Sequence, residues 1–509
     1  MMDADTMVLP RLGPADVGVE DPWGEDRSPR PRRSVARGAT GAARWRIAAW
    51  LLPALLTGGL GGAGLGTPGL RTEELATWRA ATAPWRDAWA RDRTLAPYHL
   101  LMRGWAELFG AGDVALRVPS LLAMTAAAAL VGALAARMFA PGTGVLAGAL
   151  FAVLPSATRY AQEAQPHASA LFAAVLATWL LLPVLDRPTG RRLAAYAGAV
   201  VLLGLCQAGA VLLLAGHGWV VLAFRRATAG RWLAAALPGL LVVAALLRSG
   251  GRVDGGLLPP GVRVDPGVLA ATPRELFGVA ALGAVLAGLA LFSLPLRYAA
   301  AICTAWALVP ALGLLLVARV VPVWSPAGLL FTVPAWAVLA AVALSRLRAH
   351  GAVAGLAAVA LLGAPAQVAV RGPDGHGQDP RRVAAIVDGL GRGGDGVLYG
   401  DPAARTLVAR YVPADRRPVD VLATWSVDVP TTRSVDVFTT RPGADCGGCD
   451  VAPRRLWLIQ PGHPTGPWAP GDGDGAAAQA LRLGYRPAQV WRPAGFTVVL
   501  LTDQRRTSP

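Results

Sequence analysis

Repeated apolar runs of up to about 20 residues constrain this chain most, because a run of that length crosses a bilayer as a helix. A long apolar stretch over 193–224 is divided near Gln207 and Gly209, which gives eleven runs in all. The predicted spans are 46–66, 117–137, 142–158, 167–185, 193–207, 209–224, 232–248, 276–295, 299–318, 327–345 and 351–370. Only 16% of the residues are charged, well below the roughly 25% of soluble proteins. The sequence therefore predicts an all-α polytopic membrane protein with about eleven transmembrane helices.

The arginines are distributed along the chain as a membrane topology requires. If the amino terminus is cytoplasmic, every short connection on the inner side is basic, as the positive-inside rule expects. Those connections carry Arg137, Arg187, Arg191, Arg192, Arg225, Arg226, Arg231, Arg297, Arg346 and Arg348. Because much of the net charge of +16 flanks apolar spans, it indicates orientation in a membrane and not a nucleic-acid partner. An odd number of spans then places the carboxyl-terminal part outside the membrane.

Polar segments flank and interrupt the predicted membrane domain of residues 46–370. Residues 1–45 are basic and without apolar periodicity, which predicts a disordered cytoplasmic tail. The first outer loop, 67–116, is long enough to be structured. Within residues 371–509, DPRRVAAIVDGLGRGGDGVLYGD is typical of a helix, a glycine-rich turn and a strand, and RRLWLIQPG and FTVVLLTD are typical of further strands. We therefore expect a small extracytoplasmic α/β domain at the carboxyl end.

Two cysteines of this last domain, Cys446 and Cys449, form the motif CGGC. A single motif of this kind is compatible with a disulfide, half of a metal site or chance. An extracytoplasmic position favours the disulfide.

Ionisable residues gather on the predicted outer side. Glu73 and Glu74 follow the first span, Arg117 stands at the mouth of the second, and Arg159 and Glu163 follow the third. A charge at the end of a span can simply extend to the interface, whereas one that faces the bundle is costly and more often functional. Arginines for a phosphate, a carboxylate for a hydroxyl and apolar helices for a lipid chain are what a lipid-linked phosphosugar requires.

Aromatic and aliphatic residues recur through the first outer loop at helical spacing. They are Trp85, Trp89, Leu100, Leu101, Trp105, Leu108 and Phe109. This pattern predicts amphipathic helices in the membrane interface, with a solvated loop carrying aromatic anchors as the alternative.

An ordered series of segments resembles a known family. TEELAT, LAPYHLLMRGWAELFGAGDVALRVPS and RMFAPGTGVLAGALFAVLPSATRYAQEAQPHASALFAAVLATWLLL are together similar to integral-membrane glycosyltransferases of the GT-C class. The most similar branch holds protein O-mannosyltransferases and the lipid A aminoarabinose transferase, and within it the actinobacterial family 39-type mannosyltransferases. The resemblance is strongest over residues 70–185.

The resemblance implies a polyprenyl-phosphate sugar donor, with mannose as the expected sugar and arabinose as the alternative. The sugar would pass, with inversion, to a hydroxyl of a protein, glycolipid or polysaccharide acceptor on the outer face. Glu73 or Glu74 would be the general base, and Arg117 and Arg159 would bind the donor phosphate. Supporting or substrate-contacting residues would be Tyr98, His99, Gln162, Glu163 and His167. No cofactor is implied with certainty; a divalent cation beside the glutamates remains open, although no metal-ligand spacing is present.

The chain departs from the family pattern at several positions. Glu73 stands where the family usually has aspartate, and His99 where a second tyrosine is common. Gln165-Pro166-His167 replaces a usual arginine-tyrosine pair, and SPAGLLFTVPAW lacks an arginine-tyrosine pair late in the chain. A lipid-linked-substrate transporter or flippase and a non-catalytic membrane scaffold are therefore kept as alternatives. His217, inside an apolar run, is interpreted as a satisfied core histidine.

Overall fold

A computed structural model describes residues 33–91, 93–249, 264–293, 298–320, 322–420, 453–463, 480–481 and 484–503. The chain forms two units, Met1–Arg44 and Trp45–Pro509. In the first unit only the beginning of helix α1 is described. Cys446 and Cys449, and most of the predicted tail 1–45, lie outside the described residues.

The described part of the chain is mainly helical. The helices are α1 (Arg33–Gly62), α2 (Thr72–Thr82), α3 (Trp85–Arg91), α4 (Ala96–Phe109), α5 (Asp113–Met138), α6 (Pro141–Val153), α7 (Pro155–Ala161), α8 (His167–Asp186), α9 (Gly190–Cys206), α10 (Leu213–Phe224), α11 (Ala229–Ser249), α12 (Pro266–Phe277), α13 (Ala280–Leu291), α14 (Tyr298–Ala318), α15 (Val333–Leu344), α16 (Ala349–Val370), α17 (Pro380–Leu390) and α18 (Pro402–Ala409). Short 3-10 helices are Ala208–Leu212, Arg226–Thr228, Pro326–Thr332 and Ala414–Arg416. The strands are β1 (Gly396–Tyr399), β2 (Val419–Asp420), β3 (Arg455–Pro461), β4 (Tyr485–Trp491) and β5 (Phe496–Asp503).

The predicted fold class is confirmed as a multi-pass helical membrane domain followed by a small sheet. Among the described residues, six helices are long and apolar enough to cross a membrane, and two bent pairs raise that number to eight. The predicted total of eleven spans and the predicted orientation stay predictions.

Breaks within the apolar runs follow from local sequence. The predicted division near Gln207 is confirmed, because α9 ends at Cys206 and a 3-10 turn precedes α10. Pro155 lacks an amide hydrogen, and the chain bends by 66° between α6 and α7. The third predicted span was drawn to end at residue 158, whereas α7 continues to Ala161.

Glycines allow α1, α5 and α6 to pack closely. A Cβ at Gly132 would lie 1.7 Å from the Ala49 carbonyl oxygen, and one at Gly148 would lie 2.1 Å from Pro53. Gly144 is in similar contact with the backbone of α5, 2.5 Å from the Gly132 oxygen. Small residues at such crossings let membrane helices approach each other where hydrophobic driving force is absent.

The carboxyl-terminal sheet has the order β2-β1-β3-β5-β4. β1 pairs in parallel with β2 and β3, whereas β5 is antiparallel to both β3 and β4. α17 and α18 cover it around the fully buried Trp457. The predicted helix and strands at 380–399, 455–461 and 496–503 are confirmed, while α18, β2 and β4 were not anticipated.

The sheet domain contacts the first loop, which folds as α2, α3 and α4. Leu70 is buried in the core of the sheet domain. Asp113, at the start of α5, accepts hydrogen bonds from Arg381 (2.7 Å), Arg410 (2.8 Å) and Tyr411 (2.7 Å) of that domain. The first loop and the carboxyl-terminal domain therefore lie at the same end of the helical bundle.

Candidate active site

Glu73 and Glu74 occupy neighbouring positions at the start of α2, so their side chains point about 100° apart around the helix. The Glu73 carboxylate is 58% exposed, and Arg71 pairs with it at 3.2 Å. Glu74 is completely buried. The two carboxylates that the sequence could not distinguish therefore lie in opposite environments.

Four N–H groups point at the Glu74 carboxylate. Oε1 accepts from Arg117 Nε (3.0 Å) and from the Ala164 amide (2.7 Å). Oε2 accepts from Arg117 Nη2 (2.8 Å) and from the Arg71 amide (3.0 Å). These bonds occupy roughly the four acceptor sites that a carboxylate offers, so Glu74 has none left for a substrate hydroxyl.

Arg117 likewise uses all of its hydrogen-bonding groups within the protein. Besides the two bonds to Glu74, its Nη1 donates to the carbonyl oxygens of Leu65 (3.0 Å) and Pro68 (2.8 Å), and Nη2 donates to that of Gly69 (2.8 Å). A guanidinium has five N–H donors, and all five are used here. Arg117 is also fully buried, so this arrangement leaves no donor for the phosphate it was predicted to bind. Instead it ties α5 to the turn that leads into α2.

A second charged group lies in the same region and links two separate segments, 71–73 and 159–163. Arg71 Nη1 donates to Glu163 Oε1 (2.9 Å), and Arg159 Nε donates to the same oxygen (2.9 Å). With the Arg71–Glu73 pair this makes a continuous chain, Glu73–Arg71–Glu163–Arg159, which we call the outer cluster. Three of its four members were predicted from sequence and are brought together by the fold.

The outer cluster keeps free donors. Arg159 is 29% exposed, and within the described part of the chain its Nη1 and Nη2 have no hydrogen-bond partner. Arg71 Nε is buried without a partner among the described residues. Because guanidinium groups bind phosphate oxygens well, these donors are suited to an anionic ligand.

Glu163 holds the two arginines together as an anion. Burial alone would raise its pKa, but Arg159 and Arg71 outweigh that effect and lower the pKa to about 2. The carboxylate therefore stays charged at all physiological pH values and is not suited to taking up a proton.

The other predicted site residues are buried or half-buried in the protein. Tyr98 and His99 are buried in the core of the first loop, and burial raises the pKa of Tyr98. Gln162 donates from Nε2 to the carbonyl oxygens of Gly61 (2.9 Å) and Ala63 (2.8 Å). His167 lies edge-on to Tyr160 and contacts Gln207 at 3.3 Å.

Sequence reasoning missed three residues near the cluster. Arg71 lies two positions before Glu73 and is the N-cap residue of α2. His376, in the loop after α16, and Glu275, on α12, both act electrostatically on the cluster. A signal for α12 existed: Asp265 precedes Pro266, and its side chain accepts from the Val268 amide, as expected of an N-cap.

Metal binding was left open by the sequence. The described residues contain no group of three or more His, Cys, Asp or Glu side chains placed to hold a metal ion. Within that part of the chain, the carboxylates of the outer cluster are engaged by arginines.

His217 is a satisfied core histidine, as the sequence predicted. Its Nδ1 contacts the Tyr196 hydroxyl (3.0 Å) and its Nε2 contacts Thr178 Oγ1 (3.1 Å). Trp232 Nε1 donates to the Tyr196 hydroxyl (3.0 Å), and Thr178 donates to the Ala174 carbonyl (2.9 Å). This chain of bonds joins α8, α9, α10 and α11 inside the bundle.

Comparison with known proteins agrees with this fold. Residues 96–248, from α4 to α11, match the family model described as dolichyl-phosphate-mannose-protein mannosyltransferase. No curated protein sequence matches the chain. Two solved structures of ArnT from Cupriavidus metallidurans are similar in fold at 14% identity, covering 91% of this chain and 98% of ArnT. The TM-score is 0.53 for the structure bound to undecaprenyl phosphate and 0.51 for the apo structure.

The resemblance seen in the sequence is thereby confirmed by a family model and by a fold. Because the sequence identity to ArnT is low, its structures support a shared architecture and nothing more specific. The matched family model adds the sequence relationship over the helices that flank the outer cluster. The family model over residues 96–248 and the ArnT-like architecture thus both agree with the resemblance to GT-C integral-membrane glycosyltransferases.

Proposed function

We propose that this protein is a membrane glycosyltransferase that moves a sugar from a polyprenyl-phosphate donor to an acceptor hydroxyl at the outer cluster. The observation that carries the proposal is the exposed Glu73 carboxylate linked through Arg71 to a second, partly free arginine, Arg159. An acid–base group next to phosphate-binding donors at the end of an apolar bundle is what this transfer requires. The undecaprenyl phosphate bound to ArnT supports a donor of this class.

Glu73 is the proposed general base. Its carboxylate is exposed and has one ion-pair partner, whereas Glu74 is buried and saturated with hydrogen bonds. A base must reach the proton it removes, so accessibility decides between the two residues. We assign Glu74 and Arg117 to the structural support of α2 in place of direct chemistry.

Arg159 and Arg71 are the proposed phosphate ligands. Arg159 was predicted for this role, and Arg71 takes the place predicted for Arg117, whose donors are all used within the protein. Glu163 fixes both guanidinium groups through a single oxygen atom. Such preorganised donors stabilise charge that grows on the leaving phosphate without a reorganisation cost.

Proton transfer and phosphate departure are coupled through Arg71 in this mechanism. The acceptor oxygen forms a bond to the anomeric carbon while the bond from that carbon to the phosphate oxygen breaks. The electron pair of the broken bond leaves with polyprenyl phosphate, and the acceptor proton passes to Glu73. Once Glu73 is neutral, its ion pair with Arg71 is lost, and the Nη2 donor of Arg71 is released for the phosphate as negative charge develops there.

Direct displacement of this kind inverts the anomeric centre, by analogy with one-step glycoside hydrolysis. We propose mannose as the sugar on the basis of the matched family, whose model is named for dolichyl-phosphate mannose. The acceptor is a hydroxyl group of a protein, glycolipid or polysaccharide. Tyr98, His99, Gln162 and His167 are proposed to shape the surrounding site.

The test is a transfer assay on the purified protein in lipid nanodiscs. Radiolabelled undecaprenyl-phosphate mannose and undecaprenyl-phosphate arabinose would be offered with serine/threonine peptides, glycolipids and polysaccharides as acceptors. Wild-type protein is expected to move label from the lipid to one acceptor class. The proposal fails if label never leaves either donor.

The base assignment is tested in the same assay by Glu73→Gln. We expect a rate lower by about 10²–10⁴-fold, the usual contribution of a general base. Glu107→Gln is the matched control, because Glu107 is an exposed glutamate on α4 that pairs with Arg103 outside the outer cluster. A Glu73→Gln rate within threefold of the control would remove Glu73 from the mechanism.

A further inference from the structure

The loop between α16 and α17 is fixed against the start of α2. Arg371 Nη2 donates to the Leu60 carbonyl (2.9 Å), which anchors one end of the loop. Near the other end, Gln378 Oε1 accepts from the Thr72 amide (2.8 Å) and the Thr72 hydroxyl (3.1 Å). Thr72 lies between Arg71 and Glu73, so the loop reaches the outer cluster.

A tight turn determines where His376 sits in this loop. A Cβ at Gly375 would lie 2.2 Å from the Val370 carbonyl oxygen, so no other residue fits there without a shift of the backbone. Gly377 has a φ of +80°, a conformation that residues with side chains rarely adopt. The glycines on both sides therefore hold His376 in one position.

His376 is buried and unsatisfied. His376 is 3% exposed, and neither of its ring nitrogens has a hydrogen-bond partner among the described residues. The charged groups that act on it are Glu163, Arg117, Arg71 and Arg159. Because buried polar groups in proteins are nearly always hydrogen-bonded, two unused nitrogens beside a candidate active site indicate a ligand.

We propose that His376 hydrogen-bonds a hydroxyl group of the sugar that is being transferred, an inference that rests on the proposed glycosyltransferase function. A neutral imidazole has one N–H donor and one acceptor nitrogen, which matches a hydroxyl group, itself both donor and acceptor. Phosphate oxygens only accept, and Arg71 and Arg159 already offer donors to them.

Burial supports the neutral form that this contact requires. Desolvation lowers the pKa of His376 to about 3; Glu163 opposes this effect, and the arginines Arg117, Arg71 and Arg159 add to it. His376 is thus proposed to recognise the sugar, while the arginines bind the phosphate. It would determine which sugar is accepted.

The test compares lipids with and without a sugar. Binding of undecaprenyl phosphate, undecaprenyl-phosphate mannose and undecaprenyl-phosphate arabinose to nanodisc-embedded protein would be measured for wild type, His376→Leu and His376→Gln. We expect His376→Leu to weaken binding of the preferred sugar lipid by about 10-fold, as for the loss of a hydrogen bond or two. Binding of bare undecaprenyl phosphate should stay within twofold, and His376→Gln, which keeps a donor and an acceptor, should recover part of the loss.

A transfer assay with monodeoxy sugar donors identifies the contacted hydroxyl. Wild type should discriminate against one monodeoxy donor, and His376→Leu should not. Equal weakening of all three lipids would overturn the proposal, as would a change confined to the KM of the acceptor or no change at all. A wild type that binds neither sugar lipid would refute the proposed function as well, whereas sugar-dependent binding without transfer would refute only the catalytic part.

Discussion

Replacing Glu74 by glutamine should unfold the site without touching the proposed base. Each oxygen of the Glu74 carboxylate accepts two N–H groups, one from Arg117 and one from the backbone. The amide of glutamine keeps one acceptor oxygen and puts an NH₂ group in place of the other. Whichever way the amide turns, two donors lose their acceptor and face another donor.

The magnitude follows from burial. Breaking a fully buried ion pair from one side costs about 3–5 kcal/mol, because the remaining charge is buried without its counter-ion. The two lost bonds are part of that figure, at about 1.5–3 kcal/mol each for bonds to charged groups. Since both Glu74 and Arg117 are completely buried, no solvent screening reduces the cost. At about 2 °C per kcal/mol for a large chain, Tm should fall by roughly 6–10 °C.

Thermal unfolding of the nanodisc-embedded protein, followed by tryptophan fluorescence, measures this shift. Glu73→Gln is the matched control, since its carboxylate is largely exposed and its ion pair is worth about 0–1 kcal/mol. The expected pattern is a low Tm for Glu74→Gln and a near wild-type Tm with lost transfer for Glu73→Gln. If Glu74→Gln instead unfolds like wild type and loses all transfer, Glu74 is the base and our division of roles is wrong.

Three further predictions concern other parts of the fold. Because the pKa of His376 lies near 3 in the folded chain and near its ordinary value when unfolded, the unfolded chain binds the proton first. Stability should therefore fall as pH drops from about 6.5 towards 3, by up to roughly 1.4 kcal/mol per unit, and the His376→Leu variant should show a shallower fall in Tm between pH 7 and 5. Tyr196→Phe removes the hydroxyl that joins His217 to Trp232 and should lower stability by about 1–2 kcal/mol with transfer unchanged; an unaltered Tm would count against the four-helix link. Asp113→Asn should speed amide hydrogen exchange over residues 380–412, and unchanged exchange would show that the carboxylate does not hold the sheet domain to the first loop.

The helical architecture was accessible from sequence because a membrane leaves the backbone few choices. Peptide groups within the bilayer must be hydrogen-bonded inside the protein, so long apolar runs predict helices. The strands of the sheet domain were accessible for a different reason, since the buried Trp457 and its neighbours form a continuous apolar run. Helix α12 was missed since it lies in a stretch of mixed polarity and ends at a bend of 82° before α13.

The site was only partly accessible, because its pairing depends on contacts between distant segments. Arg71 and Glu163 are 92 positions apart, and nothing in either segment specifies that they meet. Arg117 was predicted to bind phosphate because it lies at the end of a predicted span. The sequence does not show that backbone carbonyl groups surround its side chain. The three carbonyl oxygens that accept hydrogen bonds from Arg117 belong to the turn 65–69, and only folding brings them to its guanidinium group.

The division between Glu73 and Glu74 follows from the geometry of one helical turn. The Ala164 amide and Arg117 hold Glu74 on the inner side of α2, and a rotation of about 100° per residue then directs Glu73 outward. The buried residue therefore fixes the orientation of the exposed one, and Arg71 at the N-cap has its amide on Glu74 and its guanidinium on Glu73. Loss of the Ala164 or the Arg117 contact to Glu74 would rotate or unfold this turn and separate Glu73 from Arg159. Neither of these two contacts is proposed to involve a substrate. The proposed chemistry thus depends on a carboxylate that takes no part in it.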